Sequence, residues 1–204
     1  MTSIDTVTLD VADPAAAERF YTAAFGLGAL LRLRASQEPT TGFRGFTLSL
    51  GVSQPADVDA LVTAAVDAGA TVLKPAAKSL WGYGGVVQAP DGTIWKVATS
   101  AKKDTAPPSK RVDAVVLLLG VADVAASKRF YVDQGLTVAK SFGRRYVEFA
   151  TGPVTLALYR RRALAKDLGV SPDGAGSHRI TIAGPAFTDP DGFTWEPTAM
   201  ANLS

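Results

Sequence analysis

The chain has 204 residues, enough for one large domain or two compact ones of about 100 residues each. Hydrophobic residues make up 47% and charged residues 20%, which suits a packed core and excludes a disordered chain. A formal charge of +2 gives no reason to expect nucleic acid or an anionic membrane as partner, and the absence of cysteine excludes disulfides, thiolate catalysis and Cys-ligated metals.

In chain order, residues 4–11 alternate and then run apolar as a strand. Asp13-Pro14 has the chemistry of a helix start, a side-chain cap followed by proline in the first turn. Phe20, Tyr21 and Phe25 give that helix a buried face, and Gly26 ends it. A second helix is expected over 55–69, where Val58, Leu61, Val62, Ala65 and Val66 form one apolar stripe and Gly69 stands at the C-terminal cap. Asp91-Gly92 is a turn before a short strand, and the basic, proline-bearing stretch 101–111 reads as a linker. Beyond it Asp123 opens and Gly135 closes a third helix, 145–149 and 154–159 read as strands, and Asp191-Gly192 is a second turn. The charge run Arg160 to Arg162 reads as a strand leaving into solvent. The longest apolar run, 114–119, is too short to span a bilayer, and no signal peptide is recognised at the N-terminus. A cytoplasmic protein is the expectation.

Much of this is stated twice. The segment 6–13, TVTLDVAD, reappears as 116–123, VLLLGVAD, and Arg19-Phe20-Tyr21 reappears as Arg129-Phe130-Tyr131, both at an offset of 110. Asp91-Gly92 and Trp95 match Asp191-Gly192 and Trp195 at an offset of 100, while 42–48 fits 176–182 at 134. The steps between offsets mean that copy two carries 24 extra residues in its first half and lacks 34 in its second. Two tandem modules follow, 1–100 and 112–204, each trimmed in a different place.

These segments resemble the vicinal-oxygen-chelate superfamily of glyoxalases, bleomycin-resistance proteins and dioxygenases. The carrying residues are TVTLDVADPAAAERFY and its copy, GFRGFTLSL, the helix after it, WGYGGVVQAPDGTIWKVA and FTDPDGFTWEP. The resemblance implies an α+β fold of βαβββ half-units paired into open, cup-shaped mixed sheets, one cup per copy. The first half-unit would lack two strands and the last its helix, with some missing wall supplied by packing of the copies on each other.

The resemblance also implies metal-ligand positions. The first-strand position is Thr6 and Val116, the later-strand position is Arg44 and His178, and the closing position is Lys96 and Glu196. Copy one thus has a neutral residue and two cations where ligands are wanted. Copy two keeps His178 and Glu196, with Glu148 as a further oxygen, which falls short of a complete site. No metal or other cofactor is therefore expected. His178 is then either a hydrogen-bonded strand residue or half of a metal-free acid–base couple with Glu196.

Trp81 and Tyr83, in a glycine-rich loop, are candidates to stack on a planar ligand. Trp95 and Trp195, equivalent in the copies, read as core. Tyr146 and Glu148 share one strand face and would look into a cavity. Arg44 would point into the first cup, where a buried guanidinium needs an oxygen-rich partner. The leading expectation is a protein that binds a small apolar or aromatic molecule without a complete metal site. The alternatives are a lyase, isomerase or dioxygenase working around His178 and Glu196, or a structural or regulatory dimer whose cups are filled by side chains. Neither nucleic acid nor membrane is an expected partner, and a homodimer is left open.

Overall fold

The computed structural model describes residues 2–197. Strand β1 (Val7–Val11) leads into α1 (Pro14–Ala24), whose start is fixed by Asp13 accepting from the Ala16 N–H and by Pro14 in the first turn. Then come β2 (Leu31–Ala35), β3 (Thr40–Gly42), β4 (Phe46–Gly51) and α2 (Pro55–Asp67). Strands β5 (Thr71–Ser79), β6 (Gly82–Gln88) and β7 (Ile94–Thr99) close copy one. Copy two opens with β8 (Ala114–Val121) and α3 (Val124–Asp133), the latter capped by Asp123 on the N–H groups of Ala125 and Ala126. It continues through β9 (Val138–Phe142), β10 (Tyr146–Phe149), β11 (Val154–Arg160) and α4 (Arg161–Leu168). Strands β12 (Gly174–Gly176), β13 (Ile180–Ala183), β14 (Phe187–Thr188) and β15 (Thr194–Glu196) complete it.

The strands do not pair as one cup per copy. An eight-stranded sheet runs β5-β6-β7-β4-β8-β11-β10-β9, and a five-stranded sheet runs β14-β15-β13-β1-β2. The larger sheet therefore joins the second half of copy one to the first half of copy two, along an antiparallel seam from Phe46↔Leu119 to Gly51↔Ala114. Both of these are complete βαβββ units. The two shortened units, β1-α1-β2 and the helix-less β13-β14-β15, pair with each other through Val7↔Ile182 to Leu9↔Ile180. The physical reason is edge satisfaction: a trimmed unit offers too few strands to complete a full one, and each unpaired edge would leave backbone groups unmatched.

While the sheets cross between copies, the helices dock within them. Tyr21 of α1 donates to Asp91 Oδ2 at 2.7 Å in the turn before β7. Tyr131 of α3 donates to Asp189 Oδ2 at 2.6 Å before β15. Trp95 and Trp195 each donate to the phenol oxygen of their own copy at 3.4 Å, and both indoles are fully buried, as the repeat implies. By the repeat, Asp191 is the match of Asp91, but Tyr131 instead takes Asp189, two residues earlier. One continuous core gathers the helix-facing residues of both sheets, such as Leu9, Leu48 and Leu117, with Phe20, Leu61 and Tyr131 from the helices.

Burial first, and then the carboxylates of Asp91 and Asp189, push both phenols above their ordinary pKa. A neutral phenol favoured by the fold contributes its full stability below the unfolded-state pKa, and that contribution is lost as pH rises through the folded one. Stability to urea should thus fall above pH ~10. A Tyr21→Phe/Tyr131→Phe variant should lose about 1–3 kcal/mol per site at neutral pH yet show a shallower alkaline decline.

The linker is pinned. Gln54, fully buried ahead of α2, accepts from the N–H groups of Thr105 and Ala106 at 2.8 and 3.0 Å and donates to the carbonyls of Ala106 and Pro107 at 2.9 and 3.2 Å. Asp57 accepts from the Ser109 N–H at 2.6 Å, and Asp104 caps α2 on the Ala56 N–H at 2.7 Å. A Gln54→Ala variant strands several of these groups. It should cost about 1–3 kcal/mol in urea denaturation, with limited proteolysis moving into 101–111.

Candidate functional site

Helices α1, α2 and α3 lie on one side of the sheets, so the candidate surfaces are the opposite, far faces. On the eight-stranded sheet the middle of the far face is filled by α4. Leu164, Ala165 and Leu168 pack on Phe43, Val86 and Ile94, with Leu118 and Tyr159 at the margin. Arg161 holds the start of the helix, donating to the carbonyls of Phe43 at 2.7 Å and Pro172 at 3.0 Å, with its guanidinium carbon 5.1 Å from the Phe43 ring centre. Gly45 adopts φ +83°, which strains any residue with a Cβ, and a Cβ there would also push the Arg161 guanidinium aside. Lys74 holds the other end through the carbonyls of Lys166 and Asp167, and Lys96 pairs with the Asp167 carboxylate at 2.5 Å. The run Arg160 to Arg162 is thus the end of a strand and the first turn of a helix, not a strand leaving into solvent. Leu164, Ala165 and Leu168 ahead of Gly169, which adopts φ +78°, were the available signal.

What α4 leaves open on this face is a pocket of about 300 Å³ at the β5–β6 end, lined by Lys74, Lys78, Trp81, Gly84, Lys96 and Asp167 among others. Trp81, in the turn between β5 and β6, is 86% exposed, whereas Trp95 and Trp195 are 0% and 1% exposed. Tyr83 borders the pocket, but its hydroxyl donates to Asp59 of α2 at 2.8 Å, so its ring turns toward the helix side. Tyr146 and Glu148 do share a face, joined by a 3.0 Å hydrogen bond, and Glu148 also pairs with Lys140 at 3.2 Å. They stand on β10, four strands and α4 away from β6, so the four residues do not form one site.

The far face of the five-stranded sheet is polar because β1 and β2 alternate. Thr8 lies beside Arg32 and Asp10 beside Arg34 in parallel register, while Val7, Leu9 and Val11 enter the core. Arg34 is the hub. Its Nε donates to Asp10 Oδ1 at 2.7 Å, and Nη2 donates to Asp10 Oδ2 at 3.3 Å and to Thr181 at 2.8 Å. Its Nη1 donates to Glu196 at 3.1 Å. The hydrogen bond to Asp10 raises the already high pKa of this guanidinium. Two hollows of about 340 and 170 Å³ flank the Arg34–Glu196 pair. A larger hollow of about 480 Å³ lies along α1, on the helix side, and its Asp91 is already bonded to Tyr21, Arg44 and the Thr93 N–H.

His178 and Glu196 border the same hollow without bonding to each other. The ring nitrogens of His178 face the carbonyls of Arg44 (2.7 Å) and Asp191 (3.0 Å), and the ring stacks on Phe193 with centroids 4.0 Å apart. Arg179, at φ +57°, turns the chain there and is held by donating to the carbonyls of Asp10, Ser36 and Glu38. Arg44 does the equivalent work in copy one. Its Nη2 donates to the Asp91 carbonyl at 2.7 Å, and burial lowers its pKa. Both residues therefore tie a strand start to the Asp-Gly turn of their own copy.

The donor chemistry does not fit a divalent ion. On the five-stranded face both carboxylates already neutralise a guanidinium, and on the eight-stranded face the closing position is a lysine paired with Asp167. Among the described residues no group of three or more His, Asp or Glu is close enough to share an ion. The Asp10–Arg34 contact went unread in the sequence. Alternation groups Thr6, Thr8 and Asp10, and likewise Arg32 and Arg34, but the parallel pairing that joins the two sets is a tertiary fact.

No protein-family model matches the chain, and no curated protein matches it by sequence. Solved structures do. Glyoxalase I from Zea mays aligns over 95% of this chain and 90% of its own, with a TM-score of 0.60 at 15% identity. A glyoxalase/bleomycin resistance protein/dioxygenase family enzyme from Burkholderia phytofirmans PsJN aligns over 49% of this chain and 100% of its own, at 21% identity and a TM-score of 0.45. The chain therefore shares the fold of glyoxalase I. No helix among the described residues is long and apolar enough to cross a membrane.

Leu164 is the anchor of α4 in the sheet. A Leu164→Ala variant should lose about 2–5 kcal/mol, read as a lowered thermal midpoint, and should expose apolar surface to a hydrophobic dye.

Proposed function

We propose that this protein binds a small, flat aromatic molecule bearing a negative charge, without a metal, at the open end of the eight-stranded sheet. The observation that carries the reading is Trp81. A large apolar side chain left 86% exposed at the lip of a 300 Å³ pocket has no packing role, while the other two tryptophans are core. Its indole presents a face on which a planar ring can stack. Lys74 and Lys96 against Asp167 give the pocket a positive balance. An anionic substituent on the ligand answers that charge.

His178 and Glu196 take no part in this reading, since one is held by main-chain carbonyls and the other by Arg34. The α4 helix acts as the inner wall, limiting the ligand to a size far below the full sheet face.

Because Trp81 is the exposed indole, the red edge of the tryptophan emission reports on this pocket, set apart from the bluer emission of the buried Trp95 and Trp195. Titration with 1-naphthoate should quench emission saturably, while 1-naphthylmethanol, uncharged, should bind more weakly. In calorimetry a Trp81→Ala variant should lose binding about tenfold or more, the scale of one stacking contact with its buried area. A flat response to a broad set of aromatic acids, or unchanged affinity in Trp81→Ala, would overturn the reading.

A further inference from the structure

The second far face has a different chemistry. We infer that the five-stranded sheet binds a small oxyanion between Arg32 and Arg34, with Glu196 acting as a built-in competitor for the same guanidinium. The two arginines stand two residues apart on β2, on one face, about 7 Å apart along the strand. Their roles differ. Arg34 is locked by Asp10, whose side chain is 12% exposed, through two hydrogen bonds, and by Thr181. Its remaining contact, to Glu196, joins side chains that are 46% and 49% exposed. A pair that open to water is weakly held and screened by salt, so an anion in solution can take Glu196's place.

Arg32 has no carboxylate partner among the described residues, and it borders the 170 Å³ hollow with a guanidinium that carries five donors. Thr8, next to it in register, has a hydroxyl without a hydrogen bond among those residues. The Arg34–Glu196 pair stands between this hollow and the 340 Å³ one, because Arg34, Thr181 and Glu196 line both. When the anion arrives, Asp10 keeps Arg34 in place, Glu196 swings into water, and Arg32 and Thr8 complete the grip. Forked guanidinium recognition suits a carboxylate or a phosphate equally. This site is separate from the one over Trp81: it lies on the other sheet and uses no aromatic group.

The test is a calorimetric titration of the full chain at low ionic strength with malonate and, in a separate arm, inorganic phosphate. Saturable binding of either is expected, malonate alone pointing to an organic acid and phosphate alone to a phosphate or phosphonate group. A Glu196→Gln variant should bind about two- to fivefold more tightly, since the competitor has lost its charge. An Arg32→Ala variant should lose saturable binding. Both side chains lie at the surface, so thermal midpoints should stay near wild type, which separates lost binding from lost folding. Absence of saturable binding in both the wild type and Glu196→Gln would overturn the inference. So would weaker binding in Glu196→Gln, or unchanged binding in Arg32→Ala.

Discussion

Everything in this molecule depends on the two longer of three antiparallel seams at which one copy of the repeat meets the other, β4 against β8 and β1 against β13, the third being the short β3–β12 pair. At the first, Leu48 and Leu117 pair across the seam and send their side chains into the shared core, so hydrogen bonding and apolar burial reinforce the same register. The seams sort the half-units by completeness. Two whole units make a wide sheet, and two reduced units make a narrow one. The helices then bind the copies internally through the Tyr21–Asp91 and Tyr131–Asp189 contacts, so sheet and helix connections run in crossed directions.

That sorting explains why the far faces differ so much. Phe43, Val86 and Ile94 make the middle of the wide sheet's far face apolar, and the 24-residue excess of copy two is followed by α4, which covers it. The narrow sheet is threonine- and arginine-faced, needs no cover, and neutralises its own carboxylates with Arg34. Residues that look equivalent in the repeat have settled into unlike settings: Lys96 meets a helix, Glu196 meets an arginine.

Much of the architecture was legible in the sequence. The duplication, the capped helices at Asp13 and Asp123, the core tryptophans, and the missing strands and helix all follow from local pattern and from comparing offsets. What was not legible depends on contacts between distant segments. Nothing local in VTLDV or LRLRA says that Asp10 will hold Arg34, or that unit one will pair with unit four. The α4 helix is short, and its apolar signal is masked by Arg160 at the end of β11 and by Arg161 and Arg162 in its own first turn. His178 attracted attention as the chain's one histidine, but it and its equivalent, Arg44, turn out to tie strand starts to Asp-Gly turns.

The linker clamp at Gln54 has a consequence for how such a protein can change over time. Ala98 and Ala114 flank Gly51 on its two sides, so the stretch between them has only two strand spacings to cross, and the clamp takes up its slack. With that path fixed inside one chain, the duplicate copies are no longer spare parts for each other. A substitution at Leu117 is answered at Leu48, in the opposite copy, not at its own repeat equivalent. The duplication has become a division of labour in which each half is the other's folding environment, and neither can drift alone.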